Sequence, residues 1–559
     1  MKKILLANIM FLFIANILFA QNKISNDVQV VGPYQPTISD AYKINMLPKI
    51  VDTTKVESKF DYSIETKQIP TGYLLEPIVA ASMLGEPLTK LYHTYIKAGF
   101  GNYYSPMLQV NYHVLRSRVA SLGVNAGHFS SNSKIKLSND EKVYATTSNN
   151  YITVFGKQFF NKKTLSGDVN FNRNVYHHYG YDVNNDSSNI AFSNYKQRYM
   201  LLNANVGFKT NNTDSTILNY NFDLNYDYIQ DINNFYQHSI KFTPSFDQLY
   251  GKTVLGLNSD VNYYNKNQAI DTLQYLLVRL KPFANFAGLK WKVKMGLNIC
   301  SEFYDQLEEY RLYPNVYMHY SLVQNILMIY AGYDGDVEEN DYKKIISENP
   351  YILPSLNVKN TYRNINFYAG FKGKLSSKTS FNLKGSYEEY KNMYFYVNSL
   401  TPDINSLTVD SSLNHFEVEY DFVDRYRVYG EISTKPSEKF NLLLKGNYYY
   451  YNFMENLDAP WHKPNYDATL TMNYNLRSKI ILTSDFFVIG KRYAKSYNPN
   501  VEKIKLKEIF DLNLGIEYRY SKILSAFLNF NNIAASKYQI WNYYPVQRFN
   551  VMFGLTYSL

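Results

Sequence analysis

The sequence predicts an all-β protein: a large transmembrane antiparallel β-barrel preceded by a short Pro-rich arm. Three observations predict it. The chain begins with an export signal, and 56 of its 559 residues are Tyr although the mean hydropathy is only −0.36. Segments of about ten alternating residues repeat from Tyr92 to Leu559, as in membrane barrels. A barrel explains this combination, because alternate residues face lipid and lumen while tyrosines mark both membrane–water interfaces.

The first twenty residues have the form of a secretory signal peptide. Lys2 and Lys3 precede the apolar run Ile4–Phe19, and the expected cleavage lies between Ala20 and Gln21. The run is shorter than the ~20 residues that a spanning helix needs, so a permanent anchor is the less favoured alternative. No Cys lies near the cleavage site to carry a lipid.

Residues 21–91 form a separate arm. They contain six of the 18 prolines and little sustained alternation. Proline removes a ladder hydrogen bond, so extended or irregular chain is expected here rather than sheet. The arm is shorter than the ~100 to 150 residues of a typical domain, and we therefore expect no globular plug.

Residues 92–559 read as one barrel domain. In the segment Phe510–Tyr520 the even positions are apolar or aromatic, whereas the odd positions include Asp511, Asn513, Glu517 and Arg519. A period of two places the two sets on opposite faces of a strand. The segments number about 20 to 22, and an even number is expected because both termini of a bacterial barrel lie in the periplasm.

Long polar stretches interrupt the alternation and are expected to be extracellular loops. At the other end of the barrel, short periplasmic turns such as Leu476–Lys479 are expected to connect the strands. The loops are Tyr176–Asn194, Asp334–Pro354, Asn398–Asn414, Glu455–Asn465 and Tyr493–Lys505.

The last segment resembles the sorting signal that the barrel-assembly machinery reads. Phe553, Tyr557 and the terminal Leu559 lie on one apolar face. Tyr557 is two residues before the end and Gly554 is five residues before it. Leu559 stands where Phe is usual. An ordinary last strand is the alternative interpretation.

The residues before this strand resemble the C-terminal end of TonB-dependent receptor barrels. In order, Asn532, Tyr538, the pair Tyr544-Pro545 and Arg548 match the family's last hairpins, although Gln547 stands where Gly is usual. The resemblance covers under a tenth of the chain. It implies a barrel of 22 strands.

Near the expected N-terminus, Val28, Val30, Val31 and Gly32 look like the short segment with which such receptors pair with TonB by adding a strand. Any exposed Val-rich strand would match as well. The family's plug domain does not follow, so the organisation is similar to plugless TonB-receptor-like proteins of Bacteroidetes.

Other constellations point to no catalytic or metal chemistry. His177, His178 and Asp182 could be drawn as a metal site, but adjacent strand residues point to opposite faces. Two acidic groups, Asp305/Glu308/Glu309 and Asp336/Glu338/Glu339/Asp341, lack calcium-loop spacing and read as solvated loop charge. Cys300 reads as a strand residue. We expect no enzyme activity, no cofactor and, despite a net charge of +10, no nucleic acid.

These observations predict an integral protein of the outer membrane with both termini in the periplasm. The leading functional hypothesis is a transporter or channel for a small solute, gated by the arm or by a partner. The alternative is a scaffold or assembly barrel that transports nothing. The expected partners are outer-membrane lipid and lipopolysaccharide, the barrel-assembly machinery, TonB, and a surface or periplasmic lipoprotein.

Overall fold

The computed structural model describes residues 91–559 apart from gaps at 115–116, 182–195, 213–215, 268–271, 305–306, 354–355, 357 and 400–414. The chain divides into two units, Met1–Glu86 and Pro87–Leu559, and the described residues all belong to the second. The signal peptide with its cleavage at Ala20 and Gln21, the Pro-rich arm, and the segment Val28–Gly32 lie outside the described residues and stay predictions.

The second unit is a closed antiparallel sheet of 22 strands, as predicted. Each strand pairs with its neighbours along the barrel. The strands are β1 Thr94–Gly101, β2 Ser105–His113, β3 Ala120–Ser131, β4 Thr147–Phe159, β5 Lys163–His177, β6 Lys196–Thr210, β7 Asn219–Gln230, β8 Tyr236–Tyr250, β9 Thr253–Asn267, β10 Thr272–Ala287, β11 Trp291–Tyr304, β12 Leu307–Val323, β13 Leu327–Glu338, β14 Thr361–Ser376, β15 Thr379–Asn398, β16 Phe416–Ser437, β17 Phe440–Phe453, β18 Tyr466–Leu476, β19 Ile480–Ile489, β20 Ile509–Arg519, β21 Leu524–Asn531 and β22 Asn550–Ser558.

The barrel closes where β1 pairs with β22. The register places Gly99 opposite Gly554, and the backbone N–H of Thr94 donates to the carbonyl oxygen of Leu559 at 3.0 Å. The buried ring of Phe527 on β21 lies over both glycines, so a Cβ at either position would meet that ring. The seam is therefore packed on the inside by one aromatic side chain that only glycine neighbours accommodate.

The two ends of the barrel differ. The end at which β1 begins and β22 ends has tight turns; between β18 and β19, Arg477 and Ser478 both have positive φ, as a two-residue hairpin turn requires. The opposite end carries the long connections, and all five predicted loops lie there. The connections at that end include 132–146, 178–195, 339–360, 399–415, 454–465, 490–508 and 532–549. Sequence reasoning missed the first and the last of these.

Among the described residues, three of the long connections contain small hairpins of their own, which stand outside the barrel sheet. They pair Lys134–Lys136 with Lys142–Tyr144, Arg492–Lys495 with Lys503–Leu506, and Gln539–Trp541 with Tyr544–Pro545. These three loops are thus folded structures, and they are built largely from residues that the alternation pattern leaves unassigned.

The outer surface of the barrel shows the predicted alternation. Aliphatic side chains such as Leu297 and Val428 are exposed around its middle. Exposed aromatic residues follow at both rims: Tyr250, Trp291, Tyr320, Tyr474 and Tyr518 near the short turns, and Tyr263, Tyr310, Tyr426, Tyr448 and Tyr450 near the long loops. An apolar band between two aromatic girdles is the surface expected of a barrel in a bilayer.

One helix, α1 (Tyr342–Glu348), occurs in the described part of the chain, within the connection from β13 to β14. The side chain of Asp341 caps its N-terminus by accepting a hydrogen bond from the backbone N–H of Lys344 at 2.8 Å. No helix among the described residues has the length and apolar composition needed to cross a membrane. The predicted loop Asp334–Pro354 is therefore shifted along the chain: β13 runs on to Glu338, a helix follows, and β14 begins at Thr361.

Candidate functional site

A cluster of buried aromatic and aliphatic side chains lies at the mouth on the long-loop end. We call it the mouth cluster. Its members come from α1, from the segments 135–145, 179–181 and 351–358, from Tyr544, and from the upper ends of β6, β7, β15 and β16. Residues that lie far apart along the barrel thus share one apolar core, which supplies the main favourable free energy for folding the loops inward.

Helix α1 contacts one side of the barrel through hydrogen bonds and an ion pair. The backbone N–H of Tyr342 donates to Gln237 Oε1 at 3.0 Å, and its hydroxyl donates to Asp231 at 3.3 Å. Lys343 forms an ion pair with Asp227. These contacts attach the N-terminal half of the helix to β7, to β8 and to the connection between them.

The C-terminal half of α1 contacts a different part of the barrel. Tyr394 and Tyr396 on β15 both donate hydroxyl hydrogen bonds to the carboxylate of Glu348, at 2.7 and 3.0 Å. Seven strands, β8 to β14, separate β7 from β15 in the sheet. The helix therefore bridges two distant parts of the barrel wall across its mouth.

The connection 532–549 meets the other loops in the same place. The rings of Tyr351 and Tyr544 stack at 3.9 Å with an interplanar angle of 22°. The hydroxyl of Tyr179 donates to the carbonyl oxygen of Pro545 at 2.8 Å. Stacked and hydrogen-bonded aromatic pairs such as these fix the relative positions of three loops that are separate in sequence.

Buried polar contacts hold the loop 532–549 on the opposite side. The guanidinium of Arg492 donates to the carbonyl oxygens of Gln539 and Ile540 at 2.6 and 2.7 Å. The backbone N–H of Asn542 donates to His462 Nε2 at 3.2 Å, and its side chain donates to Asn398 Oδ1 at 2.9 Å. Because buried polar groups are costly when unpaired, these bonds make the loop conformation specific.

The structure places the receptor-like C-terminal residues in this loop. Asn532 adopts a positive φ of 47°, and its amide donates to the carbonyl oxygen of Ser536 at 3.0 Å. The hydroxyl of Tyr538 donates to Asp511 at 2.6 Å. Tyr544 is buried in the mouth cluster, next to Pro545, and Arg548 is exposed and donates to the carbonyl oxygen of Ala535 at 3.0 Å. Four of these residues stabilise the loop and its packing, and Arg548 lies at its edge.

The proposed assembly-signal residues form the last strand. Phe553, Tyr557 and Leu559 are exposed on the outer face, in line with the predicted alternation, whereas Gly554 faces inward beneath Phe527. Whether the assembly machinery reads these residues stays a prediction.

Two cavities lie next to α1, and both are lined in part by Asp341, Lys343 and Lys344. One of about 530 Å³ is charged, with Lys241, Arg279, Arg363 and Glu339 also among its lining side chains. The other, of about 360 Å³, is lined by residues that include Asn174, Tyr176 and Ser347. The helix thus packs into the mouth cluster through Ile345 and Ile346 and leaves solvent-sized space beside its charged residues.

Three titratable groups at this mouth are strongly perturbed. Burial raises the pKa of Asp231 to about 6, even though the backbone N–H groups of Phe235 and Asn233 hydrogen-bond to its carboxylate. Burial also lowers the pKa values of His415 and His462 to about 4. The folded loops therefore keep both histidines neutral near neutral pH, whereas Asp231 becomes protonated only as the pH falls below about 6.

Below the mouth, lysines and tyrosines line the inside of the barrel. The ammonium groups of Lys294, Lys372 and Lys384 lie 4.9, 5.5 and 5.6 Å from the ring centroids of Phe283, Tyr330 and Tyr368. Within the described ranges none of the three forms an ion pair with a carboxylate. Cation–π contacts hold these charges in place and leave them available to an anion in the lumen.

The three residues that could be drawn as a metal site, His177, His178 and Asp182, are not brought together among the described residues. His177 hydrogen-bonds to the carbonyl oxygen of Thr146 at 2.9 Å, whereas His178 lies with its ring centroid 4.5 Å from that of His415. Asp182 lies outside the described residues. Among residues 91–559, gaps aside, no group of three or more His, Cys, Asp or Glu side chains is arranged to hold a metal ion.

The acidic groups are not simple solvated loop charge, contrary to expectation. Glu308 and Glu309 lie on β12, where Glu309 pairs with Arg311, and Asp336 and Glu338 lie on β13. Glu339 accepts a hydrogen bond from Asn262 and lines the charged cavity, and Asp341 caps α1. Asp305 lies outside the described residues. Cys300 is a buried strand residue on β11, as predicted.

Solved outer-membrane receptors share this architecture. The FrpB iron transporter from Neisseria meningitidis superposes with a TM-score of 0.65 at 10% identity, over 84% of this chain and 82% of its own. The siderophore receptor PirA from Acinetobacter baumannii gives 0.64 at 10% identity, over 85% and 81%. The pyoverdine outer membrane receptor FpvA from Pseudomonas aeruginosa gives 0.59 at 12%, over 85% and 79%. The fold is that of an outer-membrane receptor barrel.

Comparisons of sequence add no further assignment. No family model matches the chain, and no curated protein matches it. The chain thus shares its fold with these receptors, and sequence identities of 10 to 12% show no more than a common fold.

Sequence reasoning missed α1 and its contacts, the core of the candidate site. A signal for the helix exists: Tyr342, Ile345 and Ile346 have the i, i+3, i+4 spacing of one helical face and follow the capping residue Asp341. It was overlooked because seven residues between long polar stretches resemble ordinary loop.

Proposed function

We propose that the chain is an outer-membrane β-barrel of TonB-dependent receptor type that conveys a small solute. The observation that carries the proposal is the bridge of α1 across the mouth, from Asp227 and Gln237 on one side to Tyr394 and Tyr396 on the other. A barrel of 22 strands encloses a lumen wide enough for a solute, and such a lumen needs a barrier.

The placement in the outer membrane is supported by the exposed aliphatic band and its two aromatic girdles. We place the short-turn end, which carries Thr94 and Leu559, in the periplasm, and the long loops with the mouth cluster at the cell surface. The export signal before Gln21 agrees with this topology.

Two barriers then act in series. The mouth cluster restricts entry from the surface, and the Pro-rich arm of residues 21–91 or a partner lipoprotein gates the periplasmic side. The Val28–Gly32 segment would allow TonB to act on the arm by strand addition, which needs accessible extended backbone. The unpaired lysines of the inner wall favour anionic over cationic solutes.

Planar-bilayer conductance tests this proposal. The mature chain and a chain without residues 21–91 are compared, with replacement of the exposed loop tip Asn498–Glu502 by a Gly-Ser linker as the control. We expect low conductance from the mature chain and a clear rise only after the arm is deleted. No conductance in any form, including a chain that lacks both the arm and α1, would contradict transport and favour a scaffold.

A separate measurement addresses TonB. A Val30→Pro substitution removes a backbone N–H that strand pairing needs. We expect it to abolish capture of the mature chain by the purified periplasmic domain of TonB, whereas Val56→Pro elsewhere in the arm should not. Equal capture of both variants would contradict a role for Val28–Gly32.

A further inference from the structure

The outer face of β5 and β6 carries a basic patch at the rim next to the long loops. On β5 the exposed residues Leu165, Val169 and Phe171 show that the odd-numbered side chains face outward. The register with β6 continues without a break to His177, so Arg173 and His177 face outward as well. On β6 the same argument from exposed Val206 places Lys196 and Arg198 on the outer face.

The strand register brings these side chains together. His177 lies opposite Lys196, and Arg173 lies opposite Met200, two residues beyond Arg198. Directly opposite side chains on paired strands have Cβ atoms about 5 Å apart, and diagonal neighbours are about 7 to 8 Å apart. Arg173, Arg198 and Lys196 therefore share one area of the size of a lipid headgroup.

The side chains of Arg173, Lys196 and Arg198 have no hydrogen-bond or ion-pair partner among the described residues. Arg198 Nε is buried and makes no hydrogen bond. Val175, which lies opposite Arg198, is only 4% exposed. Arg198 thus lies against the wall with a buried donor that no described residue satisfies.

The same rim is acidic elsewhere. On the outer face of β15 and β16, Glu389 lies opposite Asp424, next to exposed Tyr426. On β12, Glu308 lies two residues before exposed Tyr310 and therefore faces outward as well. An anion at this rim would be repelled by these carboxylates and attracted by the cations of β5 and β6.

We propose that this patch binds the phosphorylated headgroup of an outer-leaflet glycolipid. The planar guanidinium groups of Arg173 and Arg198 match phosphate oxygens through paired N–H donors, and Lys196 adds a point charge. The acyl chains of such a lipid would lie on the apolar band beneath, beside Phe171 and Val206. The proposal rests on the outer-membrane placement above, but it does not depend on transport.

Binding of purified lipid A to the detergent-solubilised mature chain tests it, with the doubly phosphorylated form as the probe and a fully dephosphorylated form as the comparison. The variant R173Q/R198Q removes both guanidinium groups. The control K252Q/K290Q removes two lysines from turns at the other rim. Loss of charge-assisted hydrogen bonds predicts a decrease in affinity of at least about ten-fold for R173Q/R198Q and none for the control.

The wild-type chain should also bind the phosphorylated form at least about ten-fold more tightly than the dephosphorylated one, because the dephosphorylated lipid cannot accept the charge-assisted hydrogen bonds. Equal affinity of R173Q/R198Q and wild type, or equal affinity for the two lipids, would overturn the site. Heat-sensitive migration on an SDS gel verifies that each variant is folded; should the double variant not fold, the single variants R173Q and R198Q provide the same comparison. Membrane fractionation of the wild-type chain separates failure of the site from failure of the outer-membrane placement.

Discussion

The barrel wall and the mouth cluster follow different rules of construction. In the wall, each strand pairs with a neighbour close in sequence, except where β1 meets β22, and outward and inward residues alternate along most of each strand. In the mouth, Tyr179 bonds to Pro545 across 366 residues, and Tyr342 bonds to Asp231 across 111. The wall therefore depends on a local repeating pattern, whereas the mouth depends on a few contacts between distant segments.

This difference predicts separate responses to mutation. A change in the wall should affect whether a barrel forms at all, because closure requires every strand. A change in the mouth cluster should release loops and leave the barrel intact, because the loops are attached to strands that pair without them.

The largest expected effect is in the wall, at the seam. In the Gly554→Ala variant the new methyl group would overlap the carbonyl oxygen of Ala98 and the ring of Phe527. We expect loss of most of the heat-sensitive folded band on an SDS gel, because β22 can no longer approach β1.

Gly385→Ala is the matched control, because a Cβ there meets nothing within 4 Å. Its folded fraction should equal that of the wild type. If Gly554→Ala folds as well as Gly385→Ala, the packing of Phe527 against Gly554 does not limit the pairing of β1 with β22.

A smaller effect is expected when the mouth cluster is broken. Ile345 on α1 is 1% exposed, so Ile345→Asp would bury an unpaired carboxylate at a cost of roughly 3 to 5 kcal/mol. We expect trypsin to cleave rapidly after Lys343 and Lys344 while the barrel itself remains folded.

Ser347→Asp on the exposed side of the same helix is the control and should leave cleavage unchanged. Hydrogen exchange should increase in 339–360 and also in 532–549, because both segments share the cluster. Faster exchange in 339–360 alone would mean that the loops do not form one unit.

The smallest effect is a dependence of the mouth on pH. His415 and His462 are held neutral with pKa values of about 4, below the unfolded value of about 6.5, so their stabilisation is present above pH 6.5 and is lost as the pH falls towards 4. Asp231, with a raised pKa of about 6, acts in the opposite sense, and its contribution grows as the pH falls below 6.

Two histidines outweigh one carboxyl group, so acidification from pH 7 to about 4.5 should lower the hydrogen-exchange protection factors in the loops near His462, each measured against the intrinsic exchange rate at the same pH. The variant H462Q should lose less protection than the wild type. Protection that increases at the lower pH would reverse the assignment of the dominant groups.

The same contrast explains what could be predicted from the sequence. The alternation in Phe510–Tyr520, the tight turn at Arg477 and the excess of Tyr are local or compositional, and they predicted the barrel, its strand number and the end that carries the long loops. The roles of Tyr351, Tyr544 and Glu348 could not be predicted, since their partners are brought close only by closure of the barrel.

Single-channel conductance shows whether α1 closes the mouth. In chains that lack residues 21–91, residues 341–349 are replaced by a Gly-Ser linker of equal length, and the control replaces the exposed tip Asn498–Glu502 in the same way. We expect a several-fold higher single-channel conductance for the chain without α1 than for either the parent or the control. Equal conductance of all three chains would contradict the conclusion that the bridge of α1 across the mouth is the barrier to entry.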